Sequence, residues 1–187
     1  MSDGYPKLEK AIRFAAKAHR GFLKDGPNPL PYIVHPVEVV LLLRHVGGVL
    51  DEDVLCAGAL HDTLEWSDAK PEQIRKRFGG RVLGLVQEMT RREPTEEERA
   101  GLDKDGVWEL RSRVLLAEIA AMSPEAQTIK LADRCSNLQL AFEIKSGRKL
   151  DRTLAQTEEI LKIVDRSVCP GLWDRIRQML DGARSSI

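Results

Sequence analysis

One of the four histidines in this 187-residue chain, His61, is followed directly by Asp62 and closes a run, Val54-Leu55-Cys56-Ala57-Gly58-Ala59-Leu60, that is apolar on every side. Burying an imidazole and a carboxylate at the end of an all-apolar helix is costly unless something compensates, and a divalent cation does so efficiently. The negative end of the helix dipole favours a cation at the same place. Adjacent helical residues diverge by about 100°, so His61 and Asp62 can reach one ion only from neighbouring sides, and other segments must complete the shell. His35, in the Pro-bounded turn Tyr32-Ile33-Val34-His35-Pro36, and Asp133, on the face of a later helix, are the candidates. Two imidazoles and two carboxylates suit Mn²⁺, Fe²⁺ or Zn²⁺ better than Ca²⁺ or Mg²⁺. An ion so held would generate hydroxide near neutral pH and polarise a phosphoryl oxygen. Glu65 lies four residues after His61 and three after Asp62, so on a continuing helix it overhangs the same site as a general acid or base. The competing reading of the four is a satisfied polar cluster without metal.

Helices must position these groups. Leu8, Ile12, Ala15 and His19 form one stripe and predict an amphipathic helix over about 6–22. Lys24 to Pro31, with three prolines and a glycine, is a rigid loop leading to a second helix from Pro36 to Val46. A central buried helix is expected from Asp51 to about Glu65, a short one from Pro71 to Gly79, and another over 81–90. The densely charged stretch 91–105 is expected to be a mobile surface loop, either solvated or covering the site. Helix 106–121 follows, then a restart at Ser123-Pro124-Glu125, with Ser as N-cap and Pro at the first position. That helix places Lys130, Asp133 and Asn137 on one face. Two further helices, about 151–168 and 171–182, flank Cys169-Pro170-Gly171. No window alternates with period two, so the class is all-α with about eight to ten helices. A single domain over 1–187 is expected, with a motif-bearing core at about 6–142 and a C-terminal helical pair at about 150–183.

Lys and Arg number 29 against 29 Asp and Glu, which removes any chain-wide attraction for nucleic acid or anionic lipid. The three cysteines lack a Cys-x-x-Cys pair and read as reduced, mostly buried thiols; His45 reads as structural. No stretch approaches the ~18 apolar residues of a membrane span. A cytoplasmic protein is expected, with a small-molecule partner and an oligomeric state the sequence leaves open.

Four blocks carry a resemblance. His35 within Tyr-Ile-Val-His-Pro, Ala-Leu-His61-Asp62-Thr-Leu-Glu65, Phe78-Gly79 with Val86 to Thr90, and Ile-Lys130-Leu-Ala-Asp133-Arg134-Cys-Ser-Asn137-Leu resemble the HD-domain hydrolases of RelA/SpoT type, in the right order over about 10–140. The expected form is that of the free-standing small alarmone hydrolases, which carry no synthetase or regulatory domain. The resemblance implies an HD-domain helical bundle and one Mn²⁺ on His35, His61, Asp62 and Asp133. It also implies removal of the 3′-pyrophosphate from guanosine tetra- or pentaphosphate, or from the adenine analogue. Glu65 would handle protons, and Lys24, Asn137, His19 and Lys130 would contact substrate. Two of these have open alternatives: His19 is a nucleotide contact or a core residue, and Lys130 reaches phosphate or pairs with a surface acid.

The chain departs from the family pattern at three places. Trp66 stands where the family's second acid follows the glutamate, and either packs on a base or fills the acid's space. Lys24 stands where an Arg normally stacks on guanine, losing the planar surface, and Gln139 stands where an Arg often follows the Asn. The rival functions are another nucleotide phosphohydrolase of HD type, or a catalytically weak alarmone-binding module.

Overall fold

The computed structural model describes residues 4–185. Among them are ten α-helices: α1 Pro6–Ala18, α2 Val34–His45, α3 Glu52–Leu60, α4 Pro71–Phe78, α5 Gly80–Met89, α6 Glu96–Arg99, α7 Lys104–Ala121, α8 Pro124–Ile144, α9 Gly147–Ile163 and α10 Pro170–Ser185. A single 3₁₀ turn, Arg166–Val168, precedes α10. The all-α expectation holds, with no strand among the described residues.

The all-apolar run becomes the central helix because every residue from Val54 to Leu60 is buried, surrounded by α1, α2, α5 and α8. Its N-terminus is capped by Asp51, whose carboxylate accepts from the Asp53 and Val54 N–H groups. Glu52, in the first turn, accepts from the Lys7 and Leu8 N–H groups at 2.7 and 3.1 Å. One carboxylate thus satisfies two orphan donors of α1 and fixes that helix to α3. Gly58 allows α2 to approach closely: a Cβ there would stand 2.5 Å from Leu43 Cδ1. This packing brings the N-terminal end of α2, with His35, to the C-terminal end of α3, with His61.

The restart at Ser123 forms as expected. Its hydroxyl accepts from the Ala126 N–H while its own N–H and O–H donate to Glu88, which anchors α8 to α5. Ile160, Leu161, Leu172, Ile176 and Leu180 of α9 and α10 join the same buried core. Cys56, Cys135 and Cys169 are buried and unpaired. No helix among the described residues is long and apolar enough to cross a membrane.

Several boundaries differ from expectation. The central helix ends at Leu60, and residues 61–65 are turns. There the Thr63 N–H and hydroxyl both donate to the Leu60 carbonyl at 2.9 and 2.7 Å, tightening the chain and ending the regular ladder. Helix α2 starts two residues before Pro36, so His35 lies inside its first turn. The charged stretch 91–105 holds a short helix, α6, started by a reciprocal Thr95–Glu98 capping box. Its charges pair locally, Arg92 with Glu98 and Glu93 with Arg111, so the stretch has a defined course without an apolar stripe. Helix α9 begins and ends about four residues earlier than expected, at Gly147 and Ile163. The Pro-rich loop is pinched into a single antiparallel bridge between Leu23 and Pro31.

Candidate active site

His35, His61, Asp62 and Asp133 meet at one point, although they come from α2, the end of α3 and α8. The two imidazole Nε2 atoms are 3.3 Å apart. Asp62 Oδ2 lies 3.0 Å from His61 Nε2 and 3.6 Å from His35 Nε2. Asp133 Oδ1 lies 3.3 Å from His35 Nε2 and 3.7 Å from His61 Nε2. His35, His61 and Asp62 form the tightest group, with ligand atoms all within 4.8 Å of one another, and Asp133 approaches from α8. Atoms bound at about 2.1 Å to one ion, at angles between right and tetrahedral, stand about 3.0–3.4 Å apart, close to the separations seen.

Hydrogen bonding fixes the imidazole tautomers. His61 Nδ1 is 2.8 Å from the Gly58 carbonyl, which can only accept, so Nδ1 carries the proton. The Ser136 hydroxyl donates to Glu38 at 2.9 Å, so it accepts from His35 Nδ1 at 3.0 Å. Both Nε2 atoms therefore present lone pairs to each other and to two carboxylates. Only a shared cation or an added proton makes that arrangement favourable, and the donor set fits a divalent ion.

The acids are tuned accordingly. Burial works against the charge on Asp62, but His61 outweighs it and holds the carboxyl down at about 2. Burial also opposes ionisation of Asp133, and Lys130, with the His35 hydrogen bond, carries it well below the usual carboxylate range. Tyr32 donates its hydroxyl to Asp62 Oδ2 at 2.6 Å; burial and the Asp62 charge together raise its pKa.

A cavity of about 480 Å³ opens over this cluster, lined among others by Lys24, Glu65, Trp66, Lys130 and Asn137. Glu65 reaches the cavity from the turn after α3. Its carboxylate accepts from Arg91, at 3.1 Å from the guanidinium and 3.4 Å from the backbone N–H. Burial raises the Glu65 pKa against the pull of Arg91, with Asp62 adding to the rise. Trp66 is half exposed and lines the cavity, as do the exposed Phe22 and Leu23, so the lining includes apolar surface.

The expected substrate contacts separate into two kinds. Asn137 donates to Asp133 Oδ1 at 2.6 Å and Lys130 donates to Asp133 Oδ2 at 3.0 Å, so both orient that carboxylate while lining the cavity. The acid that Lys130 meets is buried rather than on the surface. Lys24 lines the cavity and pairs with Glu38 at 2.9 Å. It thereby begins a chain through Glu38 and Ser136 to His35. His19 differs: it is buried and does not line the cavity, packing against Tyr32 with ring centroids 4.9 Å apart. It stands at the C-cap of α1, and both of its ring nitrogens are buried without a hydrogen-bond partner among the described residues.

Sequence reasoning missed Glu38, Ser136 and Arg91, and gave Tyr32 and Arg134 no role. Glu38 lies three residues after His35, and Ser136 three after Asp133, so same-face spacing was a usable signal. Arg91 had none, since its partner Glu65 is 26 residues away in sequence.

A family model described as HD domain matches residues 11–163. The chain belongs to the HD-domain family. Among its HD-domain relatives, the human guanosine-3′,5′-bis(diphosphate) 3′-pyrophosphohydrolase MESH1 is 35% identical over 139 residues, covering 74% of this chain and 72% of the human protein. The enzyme of the same activity name from Aquifex aeolicus is 30% identical over 177 residues, 95% of this chain but 23% of that longer protein. A solved structure described as a metazoan ortholog of SpoT that hydrolyzes ppGpp matches with a TM-score of 0.83 and 27% identity, covering 98% of each chain. The RelA/SpoT-type resemblance read from the motifs agrees with all three.

Proposed function

We propose that this chain is a Mn²⁺-dependent hydrolase that removes the 3′-pyrophosphate of a purine nucleotide alarmone, guanosine 3′,5′-bis(diphosphate) or its adenine analogue, in the cytoplasm. The observation that carries this reading is the pair of facing imidazole lone pairs closed by Asp62 and Asp133, at the base of a cavity with Glu65 on its wall. The activity names of the relatives supply the substrate class.

A divalent ion held by His35, His61, Asp62 and Asp133 would acidify water and offset phosphoryl charge. The protein's own groups do the rest. Glu65 takes a proton from the attacking water and returns one to the departing 3′ oxygen, so that the phosphorus–oxygen bond breaks and pyrophosphate leaves. Lys130 and Asn137 hold Asp133 in place; Tyr32 does the same for Asp62. The Lys24–Glu38–Ser136 chain holds the ring of His35. Phe22, Leu23 and Trp66 in the cavity lining offer apolar surface for a purine where the usual stacking Arg is missing.

Incubation of Mn²⁺-loaded protein with the guanosine and adenosine 3′,5′-bis(diphosphates), with products separated by chromatography, tests the proposal. Release of inorganic pyrophosphate and a nucleoside 5′-diphosphate is expected. Orthophosphate released only from ordinary monophosphates would replace it with a general nucleotide phosphohydrolase. Calorimetric binding without product after long incubation would replace it with a binding module.

Arg91 gives a second test. Its guanidinium draws the Glu65 pKa down against burial and Asp62, with Lys130 also pulling down. Arg91→Gln removes that pull, so Glu65 protonates at higher pH and the acid limb of the kcat profile moves up. An acid limb that stays in place in this variant would separate Glu65 from the limb.

A further inference from the structure

The equal numbers of acidic and basic residues hide a local excess of positive charge. Residues 6–20 and 71–78, which make up α1 with the turn after it and α4, hold eight Lys and Arg against two acids, Glu9 and Glu72. Lys7 and Arg13 are paired, with Asp53 and Glu9. The other six, Lys10, Lys17, Arg20, Arg75, Lys76 and Arg77, are all exposed and form no ion pair among the described residues. Elsewhere on the surface paired arginines are common: Arg92 meets Glu98, Arg111 meets Glu93, Arg166 meets Asp174 and Arg184 meets Glu158.

The two helices present one basic surface. The Arg77 guanidinium lies over the Phe14 ring, 5.0 Å from its centroid, and Phe78 meets the same ring edge-on with centroids 5.7 Å apart. Lys10 and Lys17 lie four residues before and three after Phe14, so they flank the covered ring on the same helical face. Seven residues separate them by about 10 Å along the axis. A helix C-terminus favours a nearby cation, which accounts for Lys17 and for part of the Arg75-Lys76-Arg77 run. It does not account for Lys10, or for the gathering of charge from two helices on one face. Like charges this close repel, and a docked polyanion relieves that repulsion.

The surface also narrows the kind of polyanion. None of the exposed large apolar side chains belongs to α1 or α4. The patch therefore lacks the apolar centre of a protein interface, the inserting side chains that hold a helix on a membrane, and the exposed aromatic faces on which single-stranded bases stack. It offers charge alone. A nucleic-acid duplex carries one negative charge per about 1.7 Å, so about six phosphates fall within the 10 Å from Lys10 to Lys17, a density that matches the unpaired cations.

We propose that the face formed by α1 and α4 binds double-stranded nucleic acid through its phosphate backbone, without reading sequence. None of the six cations lines the cavity over the metal cluster, so this surface is independent of the function proposed above.

Fluorescence anisotropy with labelled DNA duplexes of about 20 base pairs and two unrelated sequences, as salt rises from about 50 to about 200 mM, provides the test. Both duplexes should bind alike, with log K falling against log salt at a slope between about −3 and −5. The triple variant Lys10→Gln/Lys17→Gln/Lys76→Gln changes only exposed side chains and keeps the stack of Arg77 on Phe14. It should bind at least about tenfold more weakly at low salt, with a slope shallower by about 2 to 3. The charge-keeping variant Lys10→Arg/Lys17→Arg/Lys76→Arg should bind as the unsubstituted protein does, and circular dichroism melting of all three separates lost binding from lost folding. No binding at about 50 mM salt with protein at about 100 μM overturns the proposal, as does a slope that the glutamine substitutions leave unchanged. A preference of more than about tenfold for one duplex overturns the backbone-only reading. Tighter capture by phosphatidylserine vesicles than by duplex, lost in the glutamine variant, would make the partner a membrane and overturn the nucleic-acid assignment.

Discussion

Glu65→Gln is expected to lower kcat by about 10²–10⁴, the usual size of a general acid–base contribution, while the protein still binds one divalent ion. The substitution keeps the shape of the side chain and its capacity to accept from Arg91, so the turn after α3 should hold its course. It removes the carboxylate to which the proposed mechanism gives proton exchange with water and with the departing 3′ oxygen. Geometry isolates this effect from metal binding: Glu65 contacts Arg91, and none of its hydrogen bonds involves the four proposed ligands. Burial has already raised its pKa, with Arg91 opposing and Asp62 adding, which brings it nearer the neutral range where a proton carrier works best. Trp66 occupies the neighbouring position where the family carries a second acid, so no adjacent carboxylate can take over. Metal content by elemental analysis, beside single-turnover rates, checks the result. Near-normal turnover in a fully loaded variant would show that another group moves the proton.

How much of this was legible in the sequence differs between ligands and their supports. His61 and Asp62 stood out because charge at the end of an apolar helix needs a reason, and the structure buries His61 and leaves Asp62 partly buried beside it. Asp133 followed from a helix whose start was marked by Ser123 and Pro124. Periodicity located the helices but not their ends. The central helix stops at Leu60 because a threonine hydroxyl competes for a backbone carbonyl, and that choice depends on the surrounding packing. Yet the turn still delivers Glu65 to the cavity, so the expected position survives an incorrect path. His19 illustrates the opposite case: an apolar stripe ending in histidine fits both a ligand contact and a core ring, and the structure leaves both of its buried ring nitrogens without a partner among the described residues. Contacts such as Glu65 to Arg91 or Lys24 to Glu38 join segments whose proximity is set by helix packing, and no local spacing encodes them.

Removing the metal with a chelator is expected to lower turnover by about 10³ or more, since it withdraws several kcal/mol of charge stabilisation, and also to change how stability responds to pH. Without a cation the facing Nε2 atoms must share a proton. Burial opposes the charge on His61, but Asp62 and Asp133, with the Gly58 carbonyl, raise its pKa from 6.5 to about 9. A folded-state pKa above the unfolded value means the folded state binds the proton more tightly. The resulting stabilisation is complete below about pH 6.5 and is lost as pH rises through 9. At 1.36 kcal/mol per unit this amounts to about 3 kcal/mol for the metal-free protein. A divalent ion replaces that proton, so the loaded protein should not lose stability over the same interval, and metal uptake below pH 9 should release a proton. Scanning calorimetry at pH 6.5 and pH 9, with and without Mn²⁺, isolates the effect, because other titrating groups contribute to both forms alike. The melting temperature of the metal-free form should fall relative to the loaded form by on the order of 5–10 °C between the two pH values. A difference between the two forms that is the same at both pH values would mean that His61 carries no proton in the metal-free cluster. Two facing lone pairs would then lack any stabilising partner, and the ligand set drawn from them would have to be abandoned.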